Sequence, residues 1–149
     1  MCACYFQQHG NCHDVCIGED WKMGIRRVTI NESEASPATS PIFIGEVVSQ
    51  DLVPEGVAEI LRVTAVTFRG GARNKRHMHS TDQVLVATSG EGFVASDDET
   101  LDLKTGDVAF IAKGTPHWHG AIANQDFTHL SILTPGHMEI LDETDTTKS

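Results

Sequence analysis

From residue 42 onward the chain alternates apolar and polar residues in short runs, and each run ends in glycine, proline or acidic residues. Alternation with a period of two places every second side chain on one face of a strand. The runs that qualify are IFIGEVVS (42–49), VAEILRVTAVTF (57–68), HMHS (77–80), QVLVATSG (83–90), FVAS (93–96), TLDL (100–103), VAFIA (108–112), HWHGAIA (117–123) and FTHLSIL (127–133). Turns are predicted at Gly70-Gly71, at Gly90-Glu91-Gly92, at Asp97-Asp98-Glu99, from Lys104 to Asp107, and from Lys113 to Pro116. MGIRRVTI (23–30) reads as a further short strand start, and NESEASPATSP (31–41) as a polar loop. No segment keeps a helical period over a useful length. Short strands separated by Gly, Pro and Asp turns predict an all-β sandwich or barrel. Val66, Phe68, Leu85, Phe110 and Ile132 are expected in its core or lining a cavity.

A chain of 149 residues is one domain by length, large enough to bury roughly 70% of its unfolded surface. The net charge is −10. That balance argues against nucleic acid and anionic membranes, whose phosphates repel it. A small-molecule partner is expected instead. No apolar run approaches the roughly 18 residues of a membrane-spanning helix. The N-terminus lacks the basic-then-apolar order of a signal peptide, so a cytoplasmic location is expected. All four cysteines, Cys2, Cys4, Cys12 and Cys16, fall in an opening stretch of different character. Residues 1–22 are therefore read as an N-terminal extension, with Met23 a candidate natural start. With His9 and His13 these cysteines could hold a zinc ion, but their spacing fits no common finger, and an unstructured tail is the preferred reading. The acidic end, 141–149, is expected to fray.

The chemistry lies in two His-x-His pairs, HMH (77–79) and HWH (117–119), each near a glycine turn. In a strand His77 and His79 share a face, with Met78 opposite. His117 and His119 do the same, with Trp118 on the outside as a packing or dimer residue. If both pairs face inward, four imidazoles converge. Neutral imidazoles together bind a transition metal. Gln83, four residues past His79, would bring an amide oxygen to the same place. Three histidines and a glutamine carry no formal charge and leave a bound dication its full Lewis acidity. His9, His13, His129 and His137 are read as ordinary residues, though His129 sits in a strand and could line the cavity. The basic stretch RGGARNKR (69–76) is read as a solvated loop rather than an anion funnel.

These residues fall into a known pattern. Gly71, ARNKR, His77-Met78-His79, STD, Gln83, VLVATS and Gly90 reproduce the spacing of the first cupin motif, with Gln where Glu is usual. Gly106, DVAFI, Ala112, Lys113, Gly114, TP and His117 reproduce the second, with Ala for Pro at 112 and Ala for the closing Asn at 121. The chain thus resembles a small single-domain cupin over about residues 42 to 135, its barrel extending over 23–140. The resemblance implies a jelly-roll β-barrel with one divalent metal on His77, His79, Gln83 and His117. It also implies a homodimer, whose contacts would protect exposed edge strands. The His-x-His-x3-Gln and HWHGA combination is similar to the cupins that include manganese-dependent hydroxynitrile lyases and relatives of carboxymuconolactone decarboxylases. In that group the second histidine of HWH lies beside the metal, so His119 is expected to be a catalytic base. Mn or Fe is favoured over Zn or Ni. The expected activity is a metal-dependent lyase on a small oxygen-bearing substrate. A quercetinase-like dioxygenase and a non-enzymatic sensor are the alternatives.

Overall fold

The computed structural model of the protein describes residues 24–141. The cysteine-rich extension, the candidate start at Met23 and the acidic tail past Leu141 lie outside the described residues. Among the described residues there is no α-helix, only a 3-10 turn at Glu32–Glu34. The strands are β1 (Ser36–Pro37), β2 (Phe43–Ile44), β3 (Val47–Val53), β4 (Arg62–Phe68), β5 (Arg73–Asn74), β6 (His77–His79), β7 (Gln83–Ser96), β8 (Thr100–Lys104), β9 (Val108–Ile111), β10 (His117–Ala121), β11 (Phe127–Leu133) and β12 (Met138–Ile140). All pair antiparallel, in the order β1-β3-β4-β11-β7-β10-β5-β2, with β8 and β9 on β7 and with β6 joining β10 to β12. The all-β expectation holds, and the curled sheet is a jelly-roll half-barrel. No helix among the described residues is long and apolar enough to cross a membrane.

The strand that organises the fold is β7. Its first half lies between β11 and β9, and its second half between β10 and β8. It therefore belongs to both sheets of the barrel. The turn expected at Gly90-Glu91-Gly92 does not exist, because the chain runs on as one strand of 14 residues. The two glycines do something else. Gly90 takes a positive φ of 74° and bends the strand. A Cβ at Gly92 would fall on the Phe127 ring, so its absence lets that fully buried ring close the fold between the sheets.

Other boundaries also move. Residues 24–30 form no strand. They lie alongside β3, tied by the Gln50 amide, which donates to the Thr29 carbonyl at 3.1 Å and accepts from the Asn31 N–H at 2.9 Å. The loop expected over 31–41 contains the 3-10 turn and β1. The run 42–49 splits at Gly45, whose φ is 90°. The run 57–68 is strand only from Arg62. Strands β5 and β12 were not expected, since two or three residues carry too little alternation to be seen.

The core collects Val47, Val66, Phe68, Leu85, Ala87, Val94, Ala109, Ile111 and Phe127. Val66, Phe68 and Leu85 are buried as expected, and Ile132 is half-buried on the outer face. Phe110 is not in the core: it is 66% exposed, because its neighbours Ala109 and Ile111 take the inward positions of β9. Alternation gave the period but left open which phase points inward.

Candidate metal centre

The two His-x-His segments, β6 and β10, pair with His77 directly opposite His117. In-register antiparallel pairing with equal phase puts all four histidines on the inner face. His77, His117 and His119 are buried, and His79 is half-buried toward the mouth. One ligand atom each from His77, His79 and His117 lies within 4.8 Å of the others. The ring centroids of His77 and His117 are 4.3 Å apart. Gln83 opens β7 and is also buried.

Hydrogen bonds fix which atoms face the cluster. His77 Nδ1 lies 2.7 Å from the Lys75 carbonyl, and His117 Nδ1 lies 2.8 Å from the Thr115 carbonyl. A carbonyl only accepts, so each ring carries its proton on Nδ1 and offers the Nε2 lone pair. The Gln83 amide donates from Nε2 to Ser131 Oγ at 2.9 Å, which turns its oxygen inward, 3.0 Å from His117 Nε2. The result is two acceptors face to face, an imidazole lone pair and an amide oxygen. A neutral His117 has only one N–H, already given to Thr115. A cation between them resolves the conflict. Two ligand atoms each about 2.1 Å from one ion and at right angles stand about 3 Å apart. The donor set therefore fits one divalent transition metal, with His77, His79, His117 and Gln83 all able to reach it.

His119 lies next to this cluster and is held differently. Its Nε2 is 2.9 Å from Asn74 Nδ2, and its backbone N–H donates to Asn74 Oδ1 at 2.8 Å. Beyond it His129 is fully buried, 4.9 Å from His119 between ring centroids and stacked on Phe68 at 5.7 Å. Neither ring nitrogen of His129, nor Nδ1 of His119, makes a hydrogen bond of ordinary geometry with the protein. Buried imidazole nitrogens without a well-made hydrogen bond, on two rings 4.9 Å apart, mark a polar patch in the core. Asn74 and His129 were not assigned to the site from sequence. His129 did show one signal, its inward phase on FTHLSIL. Asn74 showed none, because a two-residue strand reveals no face.

A model of the cupin domain matches residues 64–133. The chain is 33% identical over 111 residues to an (R)-mandelonitrile lyase of Granulicella tundricola, covering 74% of this chain and 83% of the relative. The chain belongs to the cupin family. A solved cupin-like protein of Thermotoga maritima shares 34% identity and superposes with a TM-score of 0.68 over 72% of this chain and 85% of its own. An acetylacetone dioxygenase of Acinetobacter johnsonii, 15% identical, has the same fold at a TM-score of 0.65, over 81% of this cupin and 80% of its own chain.

The basic stretch of this cupin is not a loop of free charges. Arg69 pairs with Asp126 at 2.9 Å and Glu32 at 3.2 Å. Arg76 holds Asp97 through two bonds of 2.8 and 2.6 Å. Residues 73–74 between them are β5. Trp118 faces away from the metal cluster and is half-buried.

Burial pushes the imidazoles toward neutrality. Loss of solvent holds His77 down to about 3 and His79 to about 4, with His117 opposing a second positive charge in both cases. Burial lowers His117 and holds His129 down to about 4. These rings are unprotonated at pH 7, and those of His77, His79 and His117 are ready to bind metal. The sign of the linked stability follows. The unfolded histidines gain protons near 6.5, and folded His77, His79 and His129 only near 3 to 4, so the contribution is complete above 6.5 and lost on acidification. Chelator-stripped protein should therefore keep a constant urea midpoint from pH 8 to 7. Below 6.5 it should lose about 1.4 kcal/mol per pH unit for each such histidine, until its folded form titrates. A flat profile from pH 6.5 to 4.5 would show that the imidazoles are hydrated rather than buried.

Proposed function

We propose that this cupin is a metal-dependent lyase, with a divalent ion on His77, His79, Gln83 and His117, and with His119 and His129 as its two catalytic imidazoles, one donating a hydrogen bond and one moving the proton. The substrate is a small oxygen-bearing molecule of the cyanohydrin class. The observation that carries the reading is the uncharged ligand set, with a glutamine oxygen turned to the cluster by Ser131. Kinship with the mandelonitrile lyase supports it. When bound, a divalent ion supplies Lewis-acid stabilisation of negative charge developing on a substrate oxygen, undiminished by carboxylate ligands. The protein's own groups do the rest. Phe68, Val66 and Phe127 exclude water from the inner wall. In cleavage the carbon–carbon bond to the nitrile breaks and its electron pair leaves with cyanide. The hydroxyl proton is taken by a neutral imidazole and returned to the departing cyanide. His129, fully buried 4.9 Å behind His119 between ring centroids, is assigned that transfer, and His119 hydrogen-bonds the departing group. Mn or Fe is the expected metal.

The test is to strip the protein, reload it with Mn, Fe or Zn, and follow benzaldehyde release from (R)-mandelonitrile with and without oxygen. Metal-dependent, oxygen-independent release is expected. Turnover that requires iron and consumes oxygen would put a dioxygenase in its place. Tight small-molecule binding without turnover would favour a sensor.

We also propose a homodimer. On the outer face of the curled sheet run two apolar rows, Phe110–Val84–Ile132–Val63 across four strands and Val108–Val86–Leu130 across three. Phe110 is 66% and Val108 63% exposed at the edge strand β9. A contiguous apolar sheet face of this kind suits a second copy of itself. The double variant V108D/F110D should halve the mass seen by light scattering while leaving metal content unchanged. A monomeric wild type would end the proposal.

A further inference from the structure

The Asn74 amide settles a question that the ring of His119 leaves open. A backbone N–H can only donate, so the oxygen of the Asn74 amide must be the atom 2.8 Å from the His119 nitrogen. The NH2 end then faces His119 Nε2 at 2.9 Å, and it too can only donate. Nε2 must therefore be the acceptor. The ring is 4% exposed and lies against His77, His117 and His129, and a second proton on Nε2 would set two donors against each other, so the ring is neutral. A neutral imidazole has one proton, which is left on Nδ1. That nitrogen is buried and makes no hydrogen bond to the protein.

We infer that Asn74 is a positioning residue that locks His119 as the Nδ1–H tautomer, so that His119 meets the ligand as a hydrogen-bond donor. The group it receives must accept a hydrogen bond: an anionic oxygen, or the nitrogen of a nitrile or cyanide. A ring so held has no basic nitrogen to spare, which moves His119 from the expected base to a fixed donor. The inference rests on the proposed metal centre for where the ligand sits, and not on the lyase reaction.

The clamp is rigid. Asn74 is 2% exposed and sits in β5, between Phe43 of β2 and the strand that carries His119. Gly120, the residue after His119, has no side chain to spare: a Cβ there would collide with the Ala72 carbonyl and with Arg73. That close approach of β10 to β5 brings one amide within reach of both the backbone and the ring of His119.

The test uses full-length, zinc-loaded protein with 15N-labelled histidine, the His119 signals being assigned by their loss in His119→Gln. Two-bond proton–nitrogen correlations distinguish protonated from unprotonated ring nitrogens. In the wild type Nδ1 should read as protonated and Nε2 as bare. Asn74→Asp keeps the shape but replaces the donor with an acceptor, so it should reverse the pattern. Asn74→Ala, which buries no charge, should replace the single tautomer with a mixture. A wild type protonated on Nε2, or a Nδ1–H tautomer that persists unchanged in either variant, overturns the inference. In the manganese-loaded form Asn74→Asp should lower kcat for mandelonitrile about 100-fold with metal content unchanged, the usual effect of losing one aligned donor. An unchanged kcat would show that the donor does not face the reacting group. A wild type without lyase activity would speak against the lyase reading alone, and the resonances would still decide the tautomer.

Discussion

His117→Ala is expected to lose its bound metal and with it at least about 1,000-fold in activity, since Lewis-acid stabilisation is worth several kcal/mol. His117 is central to the cluster. It pairs with His77 across the strands and faces the Gln83 oxygen at 3.0 Å. Removing it takes away one of the two lone pairs that face each other there and breaks the set of three imidazoles within 4.8 Å. The result has a signature that simple misfolding would lack. Ligand binding stabilises a folded state by about 2.7 kcal/mol at a free concentration 100 times Kd. A chelator should therefore lower the urea midpoint of the wild type and leave that of His117→Ala unmoved. A variant that retains about one equivalent of metal by elemental analysis would remove His117 from the ligand set, and the centre as drawn with it.

Phe68→Ala is expected to cost about 3–5 kcal/mol of stability, the usual range for a fully buried aromatic ring. Phe68 has no exposed surface. Its ring meets Phe43 at 6.1 Å, His119 at 5.8 Å and His129 at 5.7 Å. Its loss would thus open a cavity behind the imidazoles as well as weaken the core. The companion variant is Phe110→Ala. With its ring 66% exposed, Phe110 should change monomer stability by no more than about 0.5 kcal/mol. Chemical denaturation of the two, at protein concentrations low enough to dissociate any dimer, separates inner from outer phenylalanine. Equal losses would mean that the phase of β9 is wrong.

Much of this protein was legible before any coordinates. Strand β11 was bounded correctly, because FTHLSIL is rich in strand-forming residues and lies between a turn and a proline. Each His-x-His pair could be placed on one face because i and i+2 share a face in any strand, and the pairing of His77 with His117 then put both pairs on the inner one. The paired motifs then named the family, and the spacing brought Gln83 toward the histidine cluster, where its oxygen lies 3.0 Å from His117 Nε2.

What stayed hidden depends on neighbours distant in sequence. Glycine at 90 and 92 signals freedom of the backbone, and only the Phe127 ring lying over Gly92 shows that the freedom serves packing rather than a reversal. Strand β5 is too short to reveal a face, so Asn74 became visible only when β10 came alongside. The sequence by itself determined the period of the strands and the residue types gathered at the candidate site, since both follow from local geometry and side-chain chemistry. Only the tertiary structure decided which phase of β9 points inward, which nitrogen of each imidazole is free, and that His129 lies against His119. Those are relations between strands, and they come into being when the sheet curls.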